Sequence, residues 1–221
     1  MRWNEIEYTS WGRVLRAKGE VARPERVSAL SALAAKSAAP AIGRRRSYGD
    51  ACLNDGGRAI DMTRMDRVLT FVPETGVAEA EAGLEIGQLL KTFAPKGWLP
   101  PVMPGTGFAT IGGAIAMDVH GKNHHGSGSF GCHVKSITLM TPTGDKRITP
   151  EKNKALFMAT VGGLGQTGPI LSAEIKMLKT KGDVMVVTER RVDGWDEVLS
   201  LLDGSDATYT VGWIDATALG A

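Results

Sequence analysis

An α+β fold is the expectation from this 221-residue sequence. One observation sets the class, and two more bound the core and the backbone it needs. Strand-like and helix-like runs intermix without the regular βα alternation of a doubly wound sheet. Hydrophobic residues make up 43% of the chain, an ordinary share that lets a sizeable core form. Glycine is the outlier, with 28 residues. That is about twice average usage, and glycine is needed where backbone turns left-handed or approaches a ligand closely.

Along the chain, residues 24–35 read as a helix, with Pro24 in the first turn and Val27, Leu30, Leu33 and Ala34 at helical spacing. AIGRRRSYGD (41–50) reads as a strand entering a tight loop. RAIDM (58–62), VLTFV (68–72) and GVAEAEAG (76–83) read as strands with turns between them. Residues 85–93 form a helix stopped by Pro95 and Gly97. WLPPVMPGTG (98–107) is expected to be irregular, because its prolines remove donors and fix φ. ATIGGAIAM (109–117) is a short helix of small residues. VKSITLMTPTGDKRIT (134–149) is a hairpin turning at Thr143-Gly144-Asp145. Residues 152–160 are a helix and PILSAEIKML (169–178) a strand. MVVTERRV, WDEVLSLL and ATYTVGWIDA then read as strand, helix, strand. A composition shift near residue 180 divides the expectation into a domain at 1–180 and the start of another at 181–221.

The balance of 26 basic against 24 acidic residues leaves a net charge of +2. No long basic run or aromatic–basic interleaving occurs, so no nucleic-acid partner is expected. Arg44-Arg45-Arg46 is the one tight basic cluster. Cys52 and Cys132 lack CxxC spacing and read as reduced thiols. The N-terminus carries charges where a signal peptide has its apolar core. No apolar run reaches the roughly 18 residues of a membrane span. The expected compartment is the cytoplasm, with peripheral membrane contact left open.

All four histidines fall within residues 120–133. His120 and His124 have the i, i+4 spacing of helical zinc sites, but Gly121, Lys122 and Asn123 lie between them and no Glu follows the first. No metal is expected. Two G-x-G-x-x-G matches, at 126–131 and 163–168, do not follow a strand and open a helix, so neither supports a Rossmann fold. Ser127 and Ser129 lie near histidines but in no nucleophile elbow. An anionic ligand fits better. GRRRSYG (43–49) offers consecutive backbone N–H groups in a turn, and PGTGFATIGG (104–113) a second set leading into a helix. Two such loops suit a pyrophosphate.

Three motifs in this order, GRRRSYGD, PGTGFATIGGAIAMDVHGKNHHGSGSFG and ATVGGLGQTGPI, resemble the PCMH-type FAD-binding domain of the vanillyl-alcohol oxidase superfamily. The likeness is strongest to FAD-linked sugar and alditol oxidases of the decaprenylphosphoryl-ribose 2′-oxidase type, and it covers residues 43–178. It implies two α/β subdomains around FAD. It assigns the cofactor to Ala41, Ile42, Gly43, Arg44, Arg45, Arg46, Ser47, Tyr48, Gly49, Asp50 and Ala51. Gly105, Thr110, Ile111, Gly112, Gly113, Met117, Asp118, Val119, His120 and Ile170 complete that set. His120 and Lys122 would face the space before the flavin, as catalytic-site residues.

The implied reaction oxidises a secondary alcohol of a sugar or polyprenyl-phosphoryl sugar, here the 2′-hydroxyl of decaprenylphosphoryl ribose, a precursor of cell-wall arabinan. A short-chain reductase is the implied partner. An aldonolactone or alditol oxidase, a truncated non-catalytic chain and a metal-binding protein are the rivals. Relatives with covalent FAD carry a histidine in the first loop where this chain has Arg46. A guanidinium offers no free nitrogen nucleophile, so the FAD should be non-covalent. Members of the superfamily continue into a substrate (cap) domain, and YTVGWIDATALGA (209–221) resembles its start. The cap is therefore expected to be largely missing.

Overall fold

The computed structural model describes residues 2–35, 38–182 and 184–217. Two sheets organise it. The first has the order β1-β2-β4-β3, from β1 (Asn4–Thr9), β2 (Arg16–Ala22), β3 (Ala41–Ile42) and β4 (Arg58–Asp61). β1 and β2 form an antiparallel hairpin, whereas β4 runs parallel to both β2 and β3. The parallel step from β2 to β3 is bridged by helix α1 (Val27–Ala34), which buries Leu30 and Leu33. It starts three residues after Pro24.

The second sheet is wholly antiparallel, with the order β5-β6-β10-β8-β9. Its strands are β5 (Val68–Val72), β6 (Val77–Glu81), β8 (Val134–Thr141), β9 (Gly144–Ile148) and β10 (Ile170–Lys176). Helix α2 (Ile86–Phe93) buries Ile86, Leu89 and Phe93, one face at helical spacing. Its following 3-10 turn, Ala94–Lys96, ends at Gly97 with φ 79°. Helices α3 (Ile111–Ala116) and α5 (Lys154–Thr160) complete the layer. Ile111, Ile115, Phe130, Ile137 and Ile175 join the α2 face in the largest core cluster. A second cluster sets Leu30, Leu33, Ile60 and Met62 against Met140 and Leu171. It therefore packs the first sheet's layer onto the second sheet.

The mixed helix and strand content is the expected α+β. Four details differ. Trp98–Leu99 is not irregular: it forms β7, paired with β11 (Leu178–Lys179), and stops where Pro100 and Pro101 begin. The hairpin turn is Pro142-Thr143, since Gly144 already pairs with Thr141. Residues 124–127 form a single helical turn, α4 (His124–Ser127), followed by the 3-10 turn Phe130–His133. Past residue 180, among the described residues, only the expected helix forms, as α6 (Trp195–Asp203). MVVTERRV and ATYTVGWIDA have strand composition but no ladder among the described residues, and Val186 and Trp213 stand exposed. Strand propensity expresses itself only against a partner. The last four residues of TALGA lie outside the described residues. Among the described residues, no helix is long and apolar enough to cross a membrane.

Candidate cofactor site

A cavity of about 420 Å³ opens between the two sheets. That is within the roughly 300–1,000 Å³ of small-molecule and cofactor sites. Three loops wall it. The first follows β3 and runs from Gly43 to Cys52. The second, from Pro104 to Thr110, leads into α3. The third holds Leu164, Gly165 and Gly168 and leads into β10.

The loops are locked together. A Cβ on Gly43 would stand 2.3 Å from Thr110 Oγ1, so the first loop can pass the second only as glycine. That hydroxyl is already engaged, accepting from Gly113 N at 3.2 Å as the N-cap of α3. Arg44 Nε donates to Glu85 Oε1 at 2.5 Å, tying the first loop to the start of α2. The third loop docks on the end of α3, where Gly162 N donates to Ile115 O and Leu164 N to Ala116 O.

These constraints leave donors free. Within the described structure, none of the backbone N–H groups from residue 44 to residue 50 donates to a protein acceptor. Those of Gly105, Thr106 and Gly107 do not either. Unpaired donors beside arginines favour an anion. Arg45 adopts φ 55°, and its guanidinium carbon lies 5.7 Å from the Tyr8 ring. Arg46 lies over the rings of Trp11 and Phe108, at 5.8 and 5.4 Å. Apolar wall is supplied by Ile42, Met62, Ala82 and Ile170. Burial pushes the Cys52 thiol up from its ordinary value, so this wall group stays neutral at pH 7.

Most of the sequence-expected residues come together here. Ala41, Ile42, Gly43, Arg44, Arg45, Arg46, Ser47, Tyr48 and Ala51 line the cavity. So do Gly105, Thr110, Gly112, Gly113, Met117, Val119, His120 and Ile170. Five expected residues do not. Gly49 and Asp50 are exposed, between the lining residues Tyr48 and Ala51. Ile111 is fully buried in the core, on the far side of α3. Asp118 has φ 42°, and its carboxylate accepts from Ser129 Oγ and Gly131 N, each at 2.8 Å. Lys122 is exposed, with its ammonium 5.6 Å from the Trp213 ring and its carbonyl accepting from Thr210 N at 2.9 Å.

The wall also holds residues that sequence reasoning missed. Trp11, Cys52 and Met62 gave no local signal. Leu164, Gly165 and Gly168 lay within the third motif, where a run of glycines beside an apolar strand was the available cue. Leu164 has φ 54° and Gly168 φ 126°.

The histidines divide. His120 is on the cavity wall, and its ring meets that of His124 edge-on at 5.7 Å. His133 Nε2 lies 2.8 Å from Ser127 O. Between them, Asn123 is 2% exposed and donates through Nδ2 to Pro101 O at 2.7 Å and Ser127 Oγ at 3.0 Å. It fastens the loop carrying His120 and Lys122 to the proline-rich segment. No group of three or more His, Cys, Asp or Glu side chains able to hold a metal occurs among the described residues.

Comparison with known proteins identifies the family and its cofactor. Residues 19–149 match the family described as FAD binding domain. Over 181 residues the chain is 44% identical to decaprenylphosphoryl-β-D-ribose oxidase of Mycolicibacterium smegmatis, covering 80% of this chain and 39% of that one. It is 34% identical to an uncharacterised protein of Streptomyces coelicolor (62% and 38% covered). With D-arabinono-1,4-lactone oxidase of Yarrowia lipolytica the identity is 26% (53% and 23% covered). The chain thus spans less than two fifths of the length of these relatives. An alkyldihydroxyacetonephosphate synthase structure shares the fold, with a TM-score of 0.65 at 22% identity over 75% of this chain and 32% of that one.

The residues present fit FAD. The arginines and free N–H groups suit its pyrophosphate, and the apolar wall suits a flat ring system. A Cβ at Gly105 would meet nothing within 4 Å, so the cavity is open along that wall. With more than half of its length inside the family match, the chain belongs to the FAD-binding domain family, and FAD is its cofactor.

Proposed function

We propose that the chain holds FAD non-covalently in this cavity and serves the oxidation of a secondary alcohol of a sugar. The observation that carries the reading is the convergence of three glycine loops on one cavity lined with free N–H donors and ending at His120. The first loop, with Arg45 and Arg46, would hold the pyrophosphate, together with Gly105 and the residues around Thr110. Met117, Val119, His120 and Ile170 would lie along the ring system. When bound, FAD supplies a two-electron acceptor for hydride from the sugar carbon. His120 is the polar wall group placed to orient the hydroxyl by a hydrogen bond. Lys122, held outside the wall beside Trp213, would border the substrate rather than the cofactor. Arg46 stands where a covalent link would need a histidine nitrogen, and a guanidinium has no lone pair to offer.

The likeness to decaprenylphosphoryl-β-D-ribose oxidase supports a lipid-linked ribose, oxidised at the 2′-hydroxyl, as the substrate class. A short-chain reductase would then consume the ketone. The weaker likeness to D-arabinono-1,4-lactone oxidase favours an aldonolactone as the second reading. The test is anaerobic. The FAD-loaded protein is mixed with a polyprenyl-phosphoryl ribose or with an aldonolactone, and the flavin band is followed. Bleaching by the phosphoryl ribose alone supports the first reading. Bleaching by the lactone alone selects the second.

A further inference from the structure

Trp11 lies in the β1–β2 turn, outside all three glycine loops, yet it reaches the cavity wall. Its backbone N–H donates to Ser47 O at 3.1 Å, which seats the turn against the first loop. The Arg46 guanidinium carbon is 5.8 Å from the Trp11 ring centroid and 5.4 Å from that of Phe108, in the second loop. One cation therefore joins three chain segments, and two of the three side chains, Trp11 and Arg46, line the cavity, while Phe108 stands beside lining residue Ala109. Arg46 forms no salt bridge among the described residues. Trp11 is 50% exposed and Phe108 56%, so neither ring is needed by the core.

We propose that Trp11, Arg46 and Phe108 form a clasp over the mouth of the cavity that sets how long FAD stays bound. The proposal rests on the non-covalent FAD reading above. Without a covalent bond, retention is a matter of dissociation rate, and affinity changes within one site appear mainly there. Release of the dinucleotide requires the turn and the second loop to part, and parting breaks the contacts to Arg46. A cation over an aromatic face is worth more when water is excluded, as it would be over a filled cavity. The strength of such contacts corresponds to about threefold to thirtyfold in the release rate.

The experiment uses the 221-residue protein loaded with FAD. Release is followed by the rise of flavin fluorescence on dilution, in the parent and in Trp11→Ala, Phe108→Ala, the double variant and Trp11→Phe. Each apo-protein's melting temperature is measured alongside. The clasp predicts release about threefold to thirtyfold faster in each alanine variant, with Trp11→Phe near the parent. Because either loss opens the same clasp, the double variant releases FAD no faster than the faster single. Apo melting temperatures fall by no more than about 4 °C, because the contacts are solvent-exposed in the apo-protein. Release within about twofold of the parent in both single variants overturns the proposal. So do effects that multiply in the double variant, or lowered apo stability with unchanged release. If the parent itself binds no FAD, it is the underlying non-covalent reading that fails.

Discussion

Replacing Gly43 with alanine tests the lock between the first two loops. The new Cβ would lie 2.3 Å from Thr110 Oγ1, 3.2 Å from its Cγ2 and 3.3 Å from its Cβ. Rotating the threonine would move Oγ1 away, but it would break the cap on α3 and leave its Cβ tight at 3.3 Å. Thr110 is buried, and its hydroxyl caps α3. Overpacking costs about 1–3 kcal/mol, and a lost cap about 1 kcal/mol. The reduced freedom of the unfolded chain returns about 0.4–1 kcal/mol. The net loss is about 1–3.6 kcal/mol, a fall of roughly 2–14 °C in the melting temperature of the apo-protein for a domain of this size. Gly105→Ala is the contrast. Its Cβ meets no protein atom, so apo stability should stay within about 0.5 kcal/mol. It lies on the cavity wall, so FAD affinity should fall. Calorimetry of both apo-proteins and FAD titration of both are the assays. An apo Gly43→Ala protein that melts at the parental temperature refutes the packing argument. Parental FAD affinity in Gly105→Ala refutes the placement of the cofactor along that wall.

Other outcomes follow from the same geometry. Asn123→Ala removes the donor to Pro101 O and Ser127 Oγ and should cost about 2 kcal/mol in chemical denaturation. His120→Ala should weaken FAD binding by about tenfold, while His133→Ala, remote from the cavity wall, should change it by less than about threefold in fluorescence titration. Burial raises the pKa of both Cys52 and Tyr8, neighbours in the core cluster beneath the first loop. Groups with raised folded-state values contribute stability that is complete below the unfolded values, 9.0 and 10.0, and is lost as pH rises through the folded ones. The melting temperature should therefore decline above about pH 9, and Cys52→Ala should soften the onset of that decline.

The sequence is legible where the determining contacts are local. Ile86, Leu89 and Phe93 mark one face of α2, and Gly97 marks its end through a left-handed backbone. The glycine loops announce backbone that approaches something closely, and they do meet at one cavity. Partner choice is less legible. Nothing in PILSAEIKML says that β10 lies between β6 and β8, because that pairing is settled by tertiary burial. The same limit explains residues 185–192 and 207–216, whose composition promises strands but which form no strand ladder among the described residues. Side-chain direction is hidden as well. Asp118 leaves the cavity because one backbone angle, φ 42°, turns it toward Ser129 and Gly131. Trp11 reaches the site only through the turn of a hairpin.

The central claim is that this chain holds FAD by non-covalent contacts alone. It is tested most directly by the visible absorption spectrum of the purified protein after incubation with FAD and gel filtration, recorded before and after acid precipitation. The account predicts a flavin band that co-elutes with the protein and passes wholly into the acid supernatant. A band that stays with the pellet would contradict the Arg46 argument. No flavin band on the protein would contradict the assignment of the cavity itself.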